Sequence, residues 1–152
     1  MKRILVVDDD PSVLLGICRG LRGRRDEWET ILALDTEEAC TRLDAAPDID
    51  VVICDLSMPG EGGVEVLRHA LATNPEIARI VLSGHARSDV AKQARDLCDR
   101  FLEKPCPTGL LEDTIAWAID RSAVPELVPV PPLLCGRGAP RPRWSIASRE
   151  AL

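Results

Sequence analysis

The chain has 152 residues, 45% of them apolar and 29% charged, with 25 acids against 19 bases for a formal net charge of −6. That length suits a single domain with a sizeable core, and the composition excludes wholesale disorder. The acidic balance counts against non-specific nucleic-acid binding, which calls for a basic surface.

No apolar run approaches the roughly 18 residues that span a bilayer. Met1-Lys2-Arg3 opens like a signal peptide, but the apolar stretch Ile4-Leu5-Val6-Val7 stops at Asp8-Asp9-Asp10. A secretory segment needs about 7–15 apolar residues, so the expectation is an unprocessed, cytoplasmic chain. The cysteines are Cys18, Cys40, Cys54, Cys98, Cys106 and Cys135, none in C-x-x-C spacing. Reduced, mostly buried thiols are expected.

In chain order, Ile4–Val7 is the first predicted strand. Asp10-Pro11 then starts a helix, with Asp as N-cap and Pro at the first helical position. Leu14, Ile17, Cys18 and Leu21 share one face of it, and Gly23 can end it. Thr30–Ala33 is a weaker strand, followed by a helix over Thr36–Ala45 with Ala39, Cys40 and Leu43 inward. Val51–Cys54 is the third strand, and Gly63–Thr73 a helix stopped near Asn74-Pro75. Ile80–Leu82 is the fourth strand, before a helix over Ser88–Cys98 with Val90, Ala91, Ala94 and Leu97 inward. Phe101-Leu102 is a last, weaker strand, before a helix over Thr108–Arg121 with Leu111, Ile115 and Ala118 inward.

Continuous β-branched runs such as the first, third and fourth read as strands of a parallel sheet buried on both faces. The second and fifth read as edges. Five β-α units imply right-handed crossovers, and about 120 residues are too few for an eight-fold barrel. The fold class is therefore α/β, a doubly wound five-stranded parallel sheet of (βα)5 flavodoxin-like type with strand order 2-1-3-4-5.

The texture changes after Arg121. Residues 122–152 hold six of the twelve prolines and carry 4 bases and 2 acids, against 15 bases and 23 acids in residues 1–121. The reading is a domain over 1–121 and a Pro-rich, basic tail over 122–152. The tail is too short to fold unaided and is expected to be extended or disordered. Pro129–Pro132 and Arg137–Arg143 read either as partner-docking segments or as a passive linker. No output module is visible, so a stand-alone domain acting through protein contacts is expected.

In open α/β sheets function gathers at the carboxyl ends of the strands, where the strand order reverses. That crevice lies between strands 1 and 3, which end in Asp8-Asp9 and Asp55. At ~4 Å and an effective dielectric of about 20, each like-charged pair repels by roughly 4 kcal/mol. Such a cluster needs protons or a cation, and all-oxygen ligation suits Mg²⁺ or Mn²⁺ rather than zinc. Strand 4 ends in Ser83-Gly84 and strand 5 in Lys104-Pro105, on the same edge of the sheet. A hydroxyl, an ammonium and a divalent cation around one carboxylate form a phosphoryl-binding arrangement. An Asp can itself be the nucleophile of such a site. Asp10 reads as a helix cap.

These segments resemble the receiver domain of two-component response regulators. The matching stretches are Ile4–Asp10, Asp55–Gly63, Val81–Gly84 and Phe101–Pro105, in the family's order and spacing over about residues 2–121. The resemblance implies that Asp55 is the phosphoacceptor, and that Asp8, Asp9, Asp55 and the backbone carbonyl of Ser57 hold Mg²⁺. It implies that Ser83 and Lys104 contact phosphoryl oxygens. Phe101 looks like the aromatic switch, and the Lys104-Pro105 peptide is expected cis. Residues 57 and 85 are expected to tune phosphate lifetime. Where the family usually has an acid before the glycine that opens helix 3, this chain has Gly62, which is expected to loosen the loop after Asp55.

The implied partners are a sensor histidine kinase or histidine phosphotransfer protein upstream and a protein target downstream. Direct DNA binding, membrane binding and turnover catalysis are not expected. Trp117 reads either as part of a partner or dimer surface or as packed against a neighbour. Two competing readings remain. Asp8-Asp9-Asp10 also resembles the opening motif of haloacid-dehalogenase-type phosphohydrolases, with Asp8 as nucleophile and Asp10 as acid/base. The other is a receiver-like interaction module that is never phosphorylated.

Overall fold

The apolar runs form the strands, as their composition requires. β1 (Lys2–Val7), β2 (Trp28–Ala33), β3 (Val51–Cys54), β4 (Ala78–Ser83) and β5 (Arg100–Glu103) make one parallel sheet in the order 2-1-3-4-5. The structure is a computed structural model and describes residues 1–60 and 62–120. The expectations for the 122–152 tail and Cys135 lie outside the described residues.

Alternate residues of each strand face opposite sides of the sheet, and two cores result. Leu5, Val7, Val52, Cys54 and Val81 pack with Ala39, Leu43, Val64, Leu67, Ala70, Ala91 and Ala94. Those partners come from α2 (Thr36–Ala45), α3 (Gly62–Thr73) and α4 (Asp89–Leu97). Ile4, Val6, Val51, Ile53, Ile80 and Leu82 pack the other way, against Leu14, Leu111, Ile115 and Ala118. These belong to α1 (Pro11–Gly20) and α5 (Thr108–Ile119). Burial on both faces explains why β1, β3 and β4 read as unbroken apolar runs. Among the described residues, no helix is long and apolar enough to cross a membrane.

Side-chain caps start three of the helices. Asp10 accepts from the Ser12 N–H at 2.8 Å, Asp35 from the Glu38 N–H at 2.7 Å, and Ser88 from the Ala91 N–H at 3.1 Å. Each satisfies a backbone donor that the helix leaves unpaired. Pro11 fills the first helical turn, as expected.

Three expectations need correction. The first helix ends at Gly20, not Gly23, and continues as a 3₁₀ turn over Leu21–Arg24. A Cβ on residue 20 would lie 2.8 Å from Thr108 Cγ2, so this glycine admits α5 to close contact. The thiols are not mostly buried: of the five described, Cys54 is buried and Cys18, Cys40, Cys98 and Cys106 are partly exposed, all unpaired. Cys18 and Cys40 sit at the margins of the inward faces of α1 and α2, while Cys98 and Cys106 lie outside the helices and strands. Gly62 is not slack: it is buried in the first turn of α3, where a Cβ would fall 2.5 Å from Thr36 Oγ1.

Gly63 is tighter still, since a Cβ there would meet the Asp55 carbonyl oxygen at 2.5 Å and Leu56 Cα at 2.9 Å. Those are backbone atoms and cannot rotate aside. Gly16, exposed in α1, has no atom within 4 Å of its Cβ position. Urea unfolding should therefore show Gly63→Ala less stable by roughly 1–3 kcal/mol. Gly16→Ala should be more stable by roughly 0.5–1 kcal/mol.

Candidate functional site

The backbone ladder fixes three side chains just beyond the strand ends. The Asp8 N–H donates to the Ala33 carbonyl at 3.2 Å, Asp55 N–H to Val7 at 3.0 Å, and Lys104 N–H to Ser83 at 2.9 Å. Each residue follows its strand immediately, yet is still pinned to the neighbouring one. The strand register therefore dictates where these side chains emerge, at the crevice between β1 and β3 and along the same edge.

Carboxylate oxygens of Asp8, Asp9 and Asp55 lie within 4.8 Å of one another. Asp8 and Asp55 are buried, and Asp9 is exposed. Asp8 Oδ1 accepts from the Asp10 N–H at 2.9 Å, and Oδ2 from Lys104 Nζ at 2.8 Å. Asp55 Oδ1 is buried and accepts no hydrogen bond. Lys104 Nζ stands 3.6 Å from it, an ion pair rather than a hydrogen bond. Burial would depress the Lys104 ammonium, but the Asp8 hydrogen bond and the charges of Asp55 and Asp8 outweigh it and hold its pKa above the ordinary value. Lys104 is therefore charged at neutral pH. The Lys104-Pro105 peptide is cis, as expected.

One ammonium does not balance three carboxylates. The surplus negative charge, the hard oxygen donors and the unpartnered Asp55 Oδ1 fit a small divalent cation such as Mg²⁺. Lone thiols play no part here: burial pushes the pKa of Cys54 upward, and its Sγ points at the Asp55 and Gly63 carbonyls.

The remaining predicted residues fall as follows. Ser83 is buried at the end of β4, and its Oγ accepts from the His85 N–H at 3.2 Å. Ser57 is exposed, with Oγ 3.3 Å from His85 Nδ1. The β3–β4 register sets Cys54 beside Val81, which brings the two following loops together. Asp10 turns away to cap α1. Phe101 is half-buried against the α2–α4 core, with the Arg95 guanidinium over its ring at 4.0 Å from the centroid. Trp117 packs within its own chain, under Arg100 at 4.2 Å. Sequence reading missed the Ser57–His85 contact and the role of Arg95. The first could have been sought in the equal two-residue offsets from Asp55 and Ser83; the second left no local signal.

Over residues 4–116 the chain matches the family described as response regulator receiver domain. It is 33% identical over 122 residues to the C4-dicarboxylate transport transcriptional regulatory protein DctD of Pseudomonas aeruginosa, covering 78% of this chain and 25% of that protein. It is 31% identical over 123 residues to the response regulator GacA of the same species, covering 81% and 50%. The chain thus spans a quarter to half the length of these curated relatives. Among solved structures, a response regulator receiver domain protein from Clostridium thermocellum superposes with a TM-score of 0.70 at 32% identity, covering 80% and 97% of the two chains. The response regulator TrrA of Thermotoga maritima, solved in complex with Mg²⁺-BeF, gives 0.66 at 30% identity, covering 78% and 99%. Receiver domains are signalling switches that work with histidine kinases and downstream effectors. On the strength of the family match over 4–116 and the shared sheet topology, the chain belongs to the response regulator receiver domain family of two-component systems.

Proposed function

We propose that this receiver domain takes a phosphoryl group onto Asp55 from the phosphohistidine of a sensor histidine kinase or phosphotransfer protein, and relays the event to a protein target. The observation that carries the reading is Asp55 Oδ1: buried, free of hydrogen bonds, and 3.6 Å from the Lys104 ammonium. An acceptor oxygen needs an available lone pair beside positive charge, and this atom has both.

Asp8, Asp9 and Asp55, with the Ser57 backbone carbonyl, are the proposed holders of Mg²⁺ (or Mn²⁺). Bound there, the cation supplies charge neutralisation at the phosphoryl oxygens. The relative solved with Mg²⁺-BeF supports this assignment. A carboxylate oxygen of Asp55 forms the new P–O bond as the P–N bond of the phosphohistidine breaks, and the electron pair leaves with the imidazole nitrogen. Lys104 neutralises one phosphoryl oxygen. Ser83 accepts from His85 N–H, which leaves its own hydroxyl proton to donate to another. Water later hydrolyses the acyl phosphate, past the Ser57–His85 contact. The added charge biases an existing conformational equilibrium, with Phe101 as the switch ring.

The phosphohydrolase alternative suits the side chains less well. Asp10, which would be its acid/base, is committed to capping α1. Against a silent interaction module stands the full set of Asp8, Asp9, Asp55, Ser83 and Lys104.

With acetyl phosphate and Mg²⁺, intact-mass measurement should show one phosphoryl group added, and Asp55→Asn should lose at least ~100-fold in rate. Borohydride trapping should place the modification at Asp55; a product at Asp8 would establish the hydrolase reading instead. We also propose that the receiver unit ends near residue 121. A chain cut after Ser122 should label as the full chain does, and loss of labelling would refute that boundary.

A further inference from the structure

Phe101 is held from two directions. Its ring borders the core beneath α2, α3 and α4, and its face is covered by Arg95, whose Cζ lies 4.0 Å from the centroid. That is well inside the roughly 6 Å over which a cation attracts an aromatic face. The same guanidinium donates from Nη2 to the Ala86 carbonyl at 3.2 Å. Ala86 belongs to the loop between β4 and α4. In that loop the His85 N–H donates to Ser83 Oγ at 3.2 Å, and His85 Nδ1 meets Ser57 Oγ at 3.3 Å. A continuous series of contacts therefore runs from the loop after Asp55, through Ser83–Ala86, to the ring, and Arg95 is its last link. The planar guanidinium suits this double task, because it can lay its face on a ring while an edge N–H meets a carbonyl.

We propose that Arg95 is a positioning residue of the switch, tying the β4–α4 loop to the Phe101 ring so that displacement at Ser83–Ala86 carries the ring with it. The proposal rests on the reading of Asp55 and Phe101 given above. It adds a component that neither the acidic cluster nor the Ser83 hydroxyl supplies. The loop also leads into α4, whose Ala91 and Ala94 lie in the core that Phe101 borders; Arg95 adds a direct polar tie from Ala86 to the ring face.

Phe101 is the only phenylalanine in the chain, so fluorophenylalanine labelling gives one ¹⁹F ring resonance. Mg²⁺ and beryllofluoride supply the phosphoryl mimic, whose own ¹⁹F signal reports binding at Asp55. In the wild type the ring resonance should shift as the mimic binds. In Arg95→Ala the mimic should still bind, while the ring shift falls below about half of the wild-type value. Arg95 is exposed, and retained mimic binding verifies that the variant is folded. Arg95→Gln, which keeps an N–H donor for Ala86 but no charge for the ring, should fall between the two. A full ring shift in Arg95→Ala with the mimic bound would overturn the proposal. A wild-type ring that stays still while the mimic binds would overturn the Phe101 reading and the proposal with it. A wild type that binds no mimic would sink the Asp55 reading first.

Discussion

A single ammonium facing two buried carboxylates governs the functional edge of this sheet. Lys104 lies 2.8 Å from Asp8 and 3.6 Å from Asp55, and it reaches them from a different strand. The acids could not be buried so close together in neutral surroundings, because each like-charged pair costs several kcal/mol. The site therefore holds together only when β1, β3 and β5 are all in register. The backbone bonds from Asp8, Asp55 and Lys104 to neighbouring strands enforce that register. Chemistry and folding depend on the same ladder.

The rest of the molecule can be read as support for that edge. Two apolar cores, one on each face, pack around the strands, and the polar groups of the site lie at the strand ends and in the loops after them. Asp55 is constrained from behind as well, since α3 begins against its carbonyl at Gly63. Across the mouth of the site lie Ser57, His85, Ala86 and the Arg95 side chain that reaches over to Phe101.

Much of this was legible in the sequence. β1, β3 and β4 could be located because strands buried on both faces read as unbroken apolar runs. The acids, Ser83 and Lys104 could be assigned to one edge because each follows such a run within a residue or two. Helix starts were clear where Asp10 and Ser88 cap. The end of α1 was not: Gly23 reads as the stop, but the helix ends at Gly20, where Thr108 of α5 packs close, and runs on as a 3₁₀ turn. The partly exposed cysteines misled for a related reason: an apolar stripe has edges, and periodicity does not say where they lie. The Arg95–Phe101 contact depends on how α4 returns to β5, which no local pattern records.

Gly62 links two helices that are distant in sequence. Its hydrogen occupies the space beside Thr36 Oγ1, where any side chain would collide unless the threonine rotates or the helix withdraws. The two positions therefore cannot drift independently: a bulkier residue at the first requires a smaller or differently turned one at the second.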